Sequence, residues 1–214
     1  MKDINISIDL WGTLIKSTPT FKQEKLKLVK EYCDNTLTAI DLAFDITKKE
    51  LNCIIESTGW QPSVEVIWYH LFSKLNNGRR MHYLDIMQLV DKYQSLFLKH
   101  PPEIYSDITN KFLIKLSKIG NLYISSNTMF AKGNTLHLSL PFISKLFHDT
   151  KFSDNVRVAK PSHIMFTAMT YHIGDNMRTD GWGAENAGVI PIIINSNDKT
   201  IEDAYNIIAA RQGI

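Results

Sequence analysis

The chain begins with a short segment in which apolar and polar residues alternate. Residues 4–8 place isoleucine at every second position, with Asn5 and Ser7 between, and this period of two predicts a β-strand. Asp9 follows at the carboxyl end of that strand, two residues before Trp11 and the turn residues Gly12 and Thr13. In open α/β sheets, ligands and chemistry collect at this end of the strands. The first candidate functional residue is therefore Asp9.

The next part of the chain has a helical period instead. Between about residue 21 and residue 100, leucine, isoleucine and aromatic residues recur every three or four positions among lysines and glutamates. The pattern predicts a helix over 21–32 that continues through 35–40, a second that starts at Asp45 or Thr47 and stops before Gly59, a third over 63–75 and a fourth over 82–99. We therefore predict an all-helical domain over residues 17–101, inserted between residues 1–16 and 102–214.

From about residue 108 onward, helical and strand patterns alternate. Strands are predicted at 122–126, 145–149, 171–175 and 189–194, and helices at 111–119, 183–187 and from a capping box at Thr200 through 211. This alternation predicts a Rossmann-like α/β fold, with a parallel sheet and helices on both faces, to which the helical domain is added.

Composition and charge limit the classes of partner that we expect this protein to bind. A net charge of +2, a pI near 8.4 and scattered lysines give no basic stripe, so we expect no nucleic-acid partner. No run approaches the roughly 20 apolar residues of a membrane span, and the first residues lack a secretory signal, so a cytoplasmic protein without membrane contact is expected, as a monomer or homodimer. Cys33 and Cys53 are expected to be buried, reduced thiols.

Further polar residues follow the later strands. Ser126 and Asn127 come after one strand, Lys160 precedes Pro161, and Asp175 follows another. Each of these is, by itself, also typical of a helix cap, a solvated loop or a turn. Right-handed crossovers in a parallel sheet bring such strand ends to one edge. We therefore expect these residues to share one pocket with Asp9.

Four motifs in this order resemble those of the haloacid dehalogenase superfamily of hydrolases. They are Ile8-Asp9-Leu10-Trp11-Gly12-Thr13-Leu14, Tyr123-Ile124-Ser125-Ser126-Asn127-Thr128, the segment 153–161 that ends in Ala159-Lys160-Pro161, and the segment 172–188 that begins His172-Ile173-Gly174-Asp175-Asn176. The helical insert after the first motif lies where that superfamily carries a helical cap.

The resemblance implies a role for each motif residue. Asp9 would be a nucleophile that forms a covalent aspartyl intermediate. Phosphate would be bound by Ser126, Asn127 and Lys160, with backbone N–H groups near Asn127 and Thr128 as further donors. Mg²⁺ would be held by Asp9, Asp175 and the main-chain oxygen of Trp11. Asn176 and Asp180 would lie just outside the ligands, with Asp180 holding a bound water or Lys160, or else capping the helix that begins near Gly183.

Trp11 departs from the pattern of the phosphatases of this superfamily. Most of them carry a second aspartate there, which protonates the leaving oxygen and then activates water, a contribution of about 10²- to 10⁴-fold. Tryptophan can do neither, although a backbone oxygen can still bind metal. The dehalogenase branch has an aromatic residue at this place and needs no metal, but it lacks the acid that Asp175 represents.

Three functions stay open at this point. The first is a Mg²⁺-dependent phosphatase of a small phosphorylated metabolite with a good leaving group, such as an acyl phosphate, or with an acid supplied by His70 or His82 of the insert. The second is a hydrolase like the 2-haloacid dehalogenases, and the third a catalytically impaired protein that binds a phosphorylated ligand or a protein. Four residues that could select substrate are predicted to have other roles: Trp68 and Tyr69 in the core of the insert, Arg79 and Arg80 in a solvated turn.

Overall fold

The computed structural model describes residues 4–76, 81–194 and 200–214, so Arg79 and Arg80 lie outside the described residues. The strands in these ranges are β1 (Asn5–Ile8), β2 (Ile15–Lys16), β3 (Glu103–Ile104), β4 (Asn121–Ser126), β5 (Phe147–Phe152), β6 (Tyr171–Gly174) and β7 (Ile190–Ile193). The α-helices are α1 (Pro19–Lys30), α2 (Leu37–Thr58), α3 (Val64–Leu75), α4 (Tyr83–Lys99), α5 (Asp107–Ile119), α6 (Gly133–Ser139), α7 (Pro141–Leu146), α8 (Ser153–Val156), α9 (Gly183–Asn186) and α10 (Ile201–Gln212).

Five of the strands form one parallel sheet in the order β5-β4-β1-β6-β7. The chain starts at the centre with β1, adds β4 and β5 on one side, and then adds β6 and β7 on the other. The strand order therefore reverses at β1, and the crevice outside the carboxyl ends of the strands at such a point is where open α/β sheets bind ligands. Asp9 follows β1 directly, which puts it in that crevice.

Both faces of the central strand are covered. Ile6 and Ile8 are fully buried on one face, and Ser7, which points to the other face, is 1% exposed. Ile8 pairs in register with Ile124 of β4 and Ile173 of β6. The predicted α/β fold with helices around a parallel sheet is confirmed.

Helices α1 to α4 follow one another within residues 17–101, the range for which the sequence predicts a helical insert. Each packs against two of the others, α1 on α2 and α4, and α3 on α2 and α4. The buried side chains of these helices include a cluster of aromatic rings, with Phe44 and Tyr93 in edge-to-face contact with Trp68. Trp68 is fully buried and Tyr69 packs against the core from a partly buried position, as predicted.

The first two helices differ from the prediction. The first helix ends at Lys30 and does not continue through 35–40, and α2 runs unbroken from Leu37, well before Asp45. The reason is a cap, because the Thr36 hydroxyl accepts a hydrogen bond from the backbone N–H of Ala39 at 3.2 Å. Gly59, in the left-handed conformation, ends α2 where the sequence predicts.

A small antiparallel pair that the sequence pattern does not reveal joins the two ends of the insert. β2 lies just before α1 and β3 just after α4, and the two strands pair through Ile15 with Ile104 and Lys16 with Glu103. The Lys16 ammonium also lies 3.4 Å from the Glu103 carboxylate. The chain therefore leaves the sheet region and returns to it side by side, through β2 and β3.

The two cysteines are less buried than the sequence predicts. Cys53 is exposed on α2 and Cys33 is partly buried, and both are free thiols. Cys53 lies on the outer side of α2, whose inner side is formed by Leu51 and Ile55. None of the helices in the described ranges combines the length and the apolar character needed to cross a membrane.

Candidate active site

Asp9 and Lys160 form a buried ion pair at the end of the central strand. The Asp9 backbone N–H donates to the Ile173 carbonyl of β6 at 2.8 Å, which continues the sheet pairing by one residue. The Lys160 ammonium lies 2.8 Å from Asp9 Oδ1, and the two residues are 1% and 7% exposed. Burial raises the pKa of Asp9, the ion pair with Lys160 opposes that rise, and nearby Asp180 adds to it.

Asn127 holds the backbone of Lys160. Its side-chain amide donates to the Lys160 carbonyl at 3.0 Å and accepts from the Lys160 N–H at 2.7 Å. The side chain that the sequence assigns to phosphate is thus occupied in positioning the lysine. The Thr128 N–H donates to Ser153 Oγ at 2.7 Å, so it is not free as the ligand donor that the motif led us to expect.

Asp180 accepts bonds from three groups around the ion pair. Lys160 Nζ lies 2.5 Å from its Oδ1, His172 Nε2 lies 3.0 Å from the same oxygen, and the Asn176 N–H donates to Oδ2 at 3.0 Å. Burial works to raise the pKa of this carboxyl, but the lysine and histidine outweigh it and hold the pKa well below its usual range. Asp180 therefore holds Lys160, and it does not cap the helix α9.

His172 is a member of this network that the sequence analysis missed. It is fully buried in β6, and its Nδ1 lies 2.8 Å from the Ser7 hydroxyl of β1. Burial lowers the pKa of His172, which favours the neutral ring. A neutral ring that donates from Nε2 to Asp180 accepts at Nδ1 from Ser7, so the sheet itself fixes the orientation of the Asp180 carboxylate.

Asp175 lies beside Asp9 at the open end of the site. Its carboxyl accepts a hydrogen bond from the Thr13 hydroxyl at 3.4 Å. One oxygen each of Asp9, Asp175 and Asp180 lie within 4.8 Å of one another. Burial, together with the charges of Asp9 and Asp180, raises the pKa of Asp175 to about 6. Three carboxylates and the Lys160 ammonium give this cluster a formal charge of −2 when all are ionised.

Gly12 makes room for that carboxylate. It adopts a φ of +78°, and a Cβ built on it would lie 2.1 Å from Asp175 Oδ2. Glycine is therefore required at this position for two reasons, the backbone conformation and the close approach of Asp175.

The Ser126 side chain is fully buried at the end of β4, behind the ion pair. Among the described residues its hydroxyl has no hydrogen-bond partner of good geometry. It is nevertheless near enough to Asp9 to help lower the pKa of that carboxyl. A buried hydroxyl without a fixed partner is costly, and it is available to a ligand atom that reaches Asp9.

A cavity of about 690 Å³ opens between the carboxyl edge of the sheet and the helical insert. The sheet side of its wall includes Asp9, Lys160 and Asp175. On the insert side the wall includes the aromatic residues Phe21, Phe44, Tyr93 and Phe97. This volume lies within the range of about 300–1,000 Å³ typical of small-molecule sites.

Trp11 forms part of the same wall. It is partly buried, and its ring meets Phe97 of α4 edge to face, with ring centroids 6.0 Å apart. Phe130, in the loop after β4, makes similar contacts with Phe44 and Trp68 of the insert at 4.9 and 5.0 Å. The side chain at position 11 thus joins the insert to the sheet, and it brings no carboxylate to Asp9.

Glu56 of the insert reaches the same edge of the sheet. Its carboxylate accepts from Asn176 Nδ2 at 3.1 Å and lies 3.3 Å from the Arg178 guanidinium. Asn176 also accepts from the backbone N–H groups of Arg178 and Thr179, so it is a helix-capping residue beside Asp175. The insert is thereby bonded to the segment that carries Asp175 and Asp180.

The two histidines considered as proton donors lie elsewhere. His70 pairs with Glu50 at 2.7 Å, and His82 caps α4 by accepting from the Leu84 N–H at 3.3 Å. Neither is among the residues that line the cavity.

Lys25 of α1 is a second residue that the sequence analysis missed. It is 9% exposed, lines the cavity, and places its ammonium 4.1 Å from the centre of the Phe44 ring. Burial lowers the pKa of Lys25 to about 8; Lys48 adds to the fall and Asp41 and Asp45 oppose it.

Replacing Lys25 with methionine is expected to stabilise the protein at pH 7 by roughly 2 kcal/mol, which corresponds to about 5 °C in Tm for a chain of this size. The pKa of Lys25 is lower in the folded than in the unfolded state, so the charged lysine destabilises the native protein. This destabilisation is fully present below pH 8 and is lost as the pH approaches 10.5. Chemical unfolding of both proteins at pH 7 and pH 10 checks this. Lys27→Met, on the solvent side of the same helix, is the control, and an equal gain from it would contradict the account.

Comparison with known proteins supports the fold. No protein-family model and no curated protein matches the chain. Among solved structures, the HAD-hydrolase YfnB from Bacillus subtilis, bound to magnesium, superposes with a TM-score of 0.71 at 17% identity over 97% of this chain and 99% of that one. A 2-haloacid dehalogenase from Pseudomonas syringae gives a TM-score of 0.60 at 16% identity over 98% and 99% of the two chains.

A predicted phosphoglycolate phosphatase from Haemophilus somnus gives a TM-score of 0.62 at 14% identity, over 99% of each chain. The chain is thus similar over its whole length to both dehalogenases and phosphatases of one fold. It has the fold of the haloacid dehalogenase hydrolases, with the helical insert included in the superposed length.

Proposed function

We propose that this protein is a Mg²⁺-dependent hydrolase of the haloacid dehalogenase type that dephosphorylates a small metabolite through a phosphoryl group on Asp9. The observation that carries the proposal is the convergence of Asp9, Lys160 and Asp175 at the carboxyl edge of the sheet, facing a cavity of about 690 Å³. Residues 17–101 would be the cap domain that covers this edge.

The donor set fits a hard divalent cation. Asp9 and Asp175 offer carboxylate oxygens, the Trp11 backbone offers a carbonyl, and such oxygen donors are the ligands that Mg²⁺ takes in proteins. The cluster of three carboxylates and one lysine would be neutralised by a charge of +2. Asp180 is taken up by Lys160 and His172, so Asp9, Asp175 and the Trp11 carbonyl would hold the ion. When bound, Mg²⁺ would offset the charge of the phosphoryl oxygens.

The protein groups then have distinct roles. An oxygen of Asp9 attacks phosphorus, the bond from phosphorus to the leaving oxygen breaks, and water later releases phosphate and restores the carboxylate. Lys160 balances charge on the phosphoryl oxygens from its place 2.8 Å from Asp9, and Asp180 and Asn127 hold it there. The Ser126 hydroxyl is a free donor for one of those oxygens.

Trp11 limits the leaving group. Without a carboxylic acid at that position, the leaving oxygen departs without a proton from the enzyme, so groups of low basicity are favoured. The expected substrates are therefore acyl phosphates or other phosphates with a weakly basic leaving group. Glu56 is taken up by its contacts with Arg178 and Asn176, so it is not free to replace that acid.

A second candidate function is halide displacement from a 2-halo acid through an ester at Asp9. The aromatic residue at position 11 and the similarity to a 2-haloacid dehalogenase favour it. Asp175 counts against it, because a third carboxylate has no role in a reaction that needs no metal. Chloride release that chelators do not affect would establish this function in place of the first.

The test is a screen of phosphorylated metabolites, acyl phosphates and 2-halo acids with the purified protein, in Mg²⁺ and in excess chelator, with Asp9→Asn as the blank. We expect Mg²⁺-dependent phosphate release, highest for acyl phosphates and lost in the variant. Absence of hydrolysis, with retained binding of a phosphorylated compound, would instead indicate a binding or regulatory protein.

Gly12→Ala is expected to weaken Mg²⁺ binding by at least about 10-fold, because the new Cβ would displace the Asp175 carboxylate. Gly188→Ala is a matched control, since its φ of +72° imposes the same backbone strain while no atom lies within 4 Å of the added Cβ. Both variants should lose about 1 kcal/mol of stability. Calorimetric titration with Mg²⁺ checks the difference, and equal affinities for the two variants would argue against Asp175 as a ligand.

A further inference from the structure

Lys25 is buried at a place where a lysine is costly. It lies on α1 with Phe21, Leu28 and Val29 on the side that packs against the rest of the insert, and 91% of its surface is out of contact with water. Lysine is seldom this buried without a close charged partner, because the ammonium loses its hydration.

The partners that Lys25 has in the structure are weak. The nearest carboxylate, Asp41 of α2, lies 3.9 Å away and its side chain is 59% exposed, so water screens the pair. The Phe44 ring supplies a cation–π contact at 4.1 Å. The other charged groups on the cavity wall near it are Asp45 and Lys48 of α2 and Lys22 of α1, and all three are exposed.

Four aromatic side chains share the insert's wall of the cavity with Lys25, beside polar and charged ones. Phe21, Phe44, Tyr93 and Phe97 line the same wall of the insert, opposite the carboxyl edge of the sheet. A buried cation beside aromatic rings favours an organic molecule that carries an anionic group, because the low local dielectric strengthens the ion pair.

We infer that Lys25 forms a second anion-binding subsite in the cavity, which takes a carboxylate or phosphate group on the apolar or aromatic body of the ligand. This inference rests on the proposed function in one respect: if that function holds, the ligand is the substrate whose phosphoryl group reaches Asp9. The substrate class becomes a small molecule with two anionic groups separated by an apolar body, one recognised by Lys160 and the other by Lys25.

The test measures binding and needs no turnover. Calorimetry at pH 7 compares 3-phenylpropanoate with its uncharged amide, and with 2-phenylethylphosphonate, on the whole chain. We expect the acid to bind about 10-fold more tightly than the amide, from one charge-assisted hydrogen bond. Lys25→Met should remove this preference and Lys25→Arg should restore most of it. Lys27→Met, on the exposed side of α1, should keep it.

Every outcome of this test either supports or overturns the subsite at Lys25. Equal affinity of the native protein for acid and amide, no measurable binding of either, or a preference that survives Lys25→Met would overturn the inference. If only the carboxylate or only the phosphonate depends on Lys25, that group is the natural one. Loss of hydrolysis in the substrate screen with a Lys25-dependent preference intact would refute the proposed function alone, and hydrolysis without that preference would refute the subsite alone.

Discussion

Replacing Trp11 with aspartate is expected to raise the rate of phosphomonoester hydrolysis by about 10²- to 10⁴-fold. The gain should be largest for alkyl phosphates, whose leaving oxygen needs a proton, and small for acyl phosphates. The reason is that position 11 lies two residues after Asp9 on the wall of the same cavity, so a carboxylic acid there can serve the leaving oxygen and then the attacking water.

The substitution also has a structural cost. The Trp11 ring packs edge to face on Phe97, and losing that contact should lower stability by about 0.5–1.5 kcal/mol beyond the effect of the buried area. Trp11→Asn is the matched control, because it loses the same packing and supplies no acid. Steady-state kinetics on one alkyl and one acyl phosphate, for all three proteins, check the expectation. Equal rates for the aspartate and asparagine variants would mean that the missing acid does not limit turnover.

Asp9→Asn is expected to reduce turnover by at least about 10⁴-fold, since removing a covalent nucleophile leaves only binding and electrostatic contributions. The amide has the shape of the carboxylate and can still bond to neighbouring groups. Its effect on stability should be small, because the lost ion pair with Lys160 is offset by relief of the repulsion between Asp9 and Asp180. Kinetics together with thermal unfolding separate the two effects.

A variant of Asp9 that kept its rate within 10-fold of the native protein, while folded, would remove this residue from the mechanism. A variant that lost both rate and several kcal/mol of stability would instead show that the ion pair is structural. Neither result is expected.

The sheet and the site were predictable from sequence for a physical reason. In a parallel sheet, alternation and buried apolar runs locate the strands, and the crossover rule then brings Asp9, Ser126 and Asp175 to one edge. Lys160 was also expected at a strand end, and this was wrong, because it follows α8 and not a strand; its ammonium nevertheless lies 2.8 Å from Asp9.

Most of the functional residues that the sequence analysis missed are recognised only through contacts with segments that are distant along the chain. His172 lies among apolar strand residues, and only the structure pairs it with Ser7 and Asp180. Glu56 meets Asn176 across 120 positions of the chain. Lys25 was the one case with a local signal, because it occupies the same helical stripe as Phe21 and Leu28, where a solvated lysine is not expected.

In the insert, the sequence located some helix starts well and one of them wrongly. Its third and fourth helices begin one residue after the predicted starts at 63 and 82, because Ser63 and His82 are their capping residues. The start of α2 was wrong because several residues between 34 and 47 are acceptable caps, and local sequence does not choose among them. Packing of the apolar side of α2, including Ile40 and Phe44, against its neighbours favours the earlier cap at Thr36.

The most direct test of the central claim is to trap the phosphoryl group on Asp9. The protein would be mixed with Mg²⁺ and an acyl phosphate, quenched in acid during turnover, reduced with borohydride and analysed by peptide mass spectrometry. We predict homoserine at position 9 in the native protein, and unchanged side chains in Asp9→Asn and in the chelator control. Phosphate release at full rate with Asp9 unmodified in every sample would contradict the account.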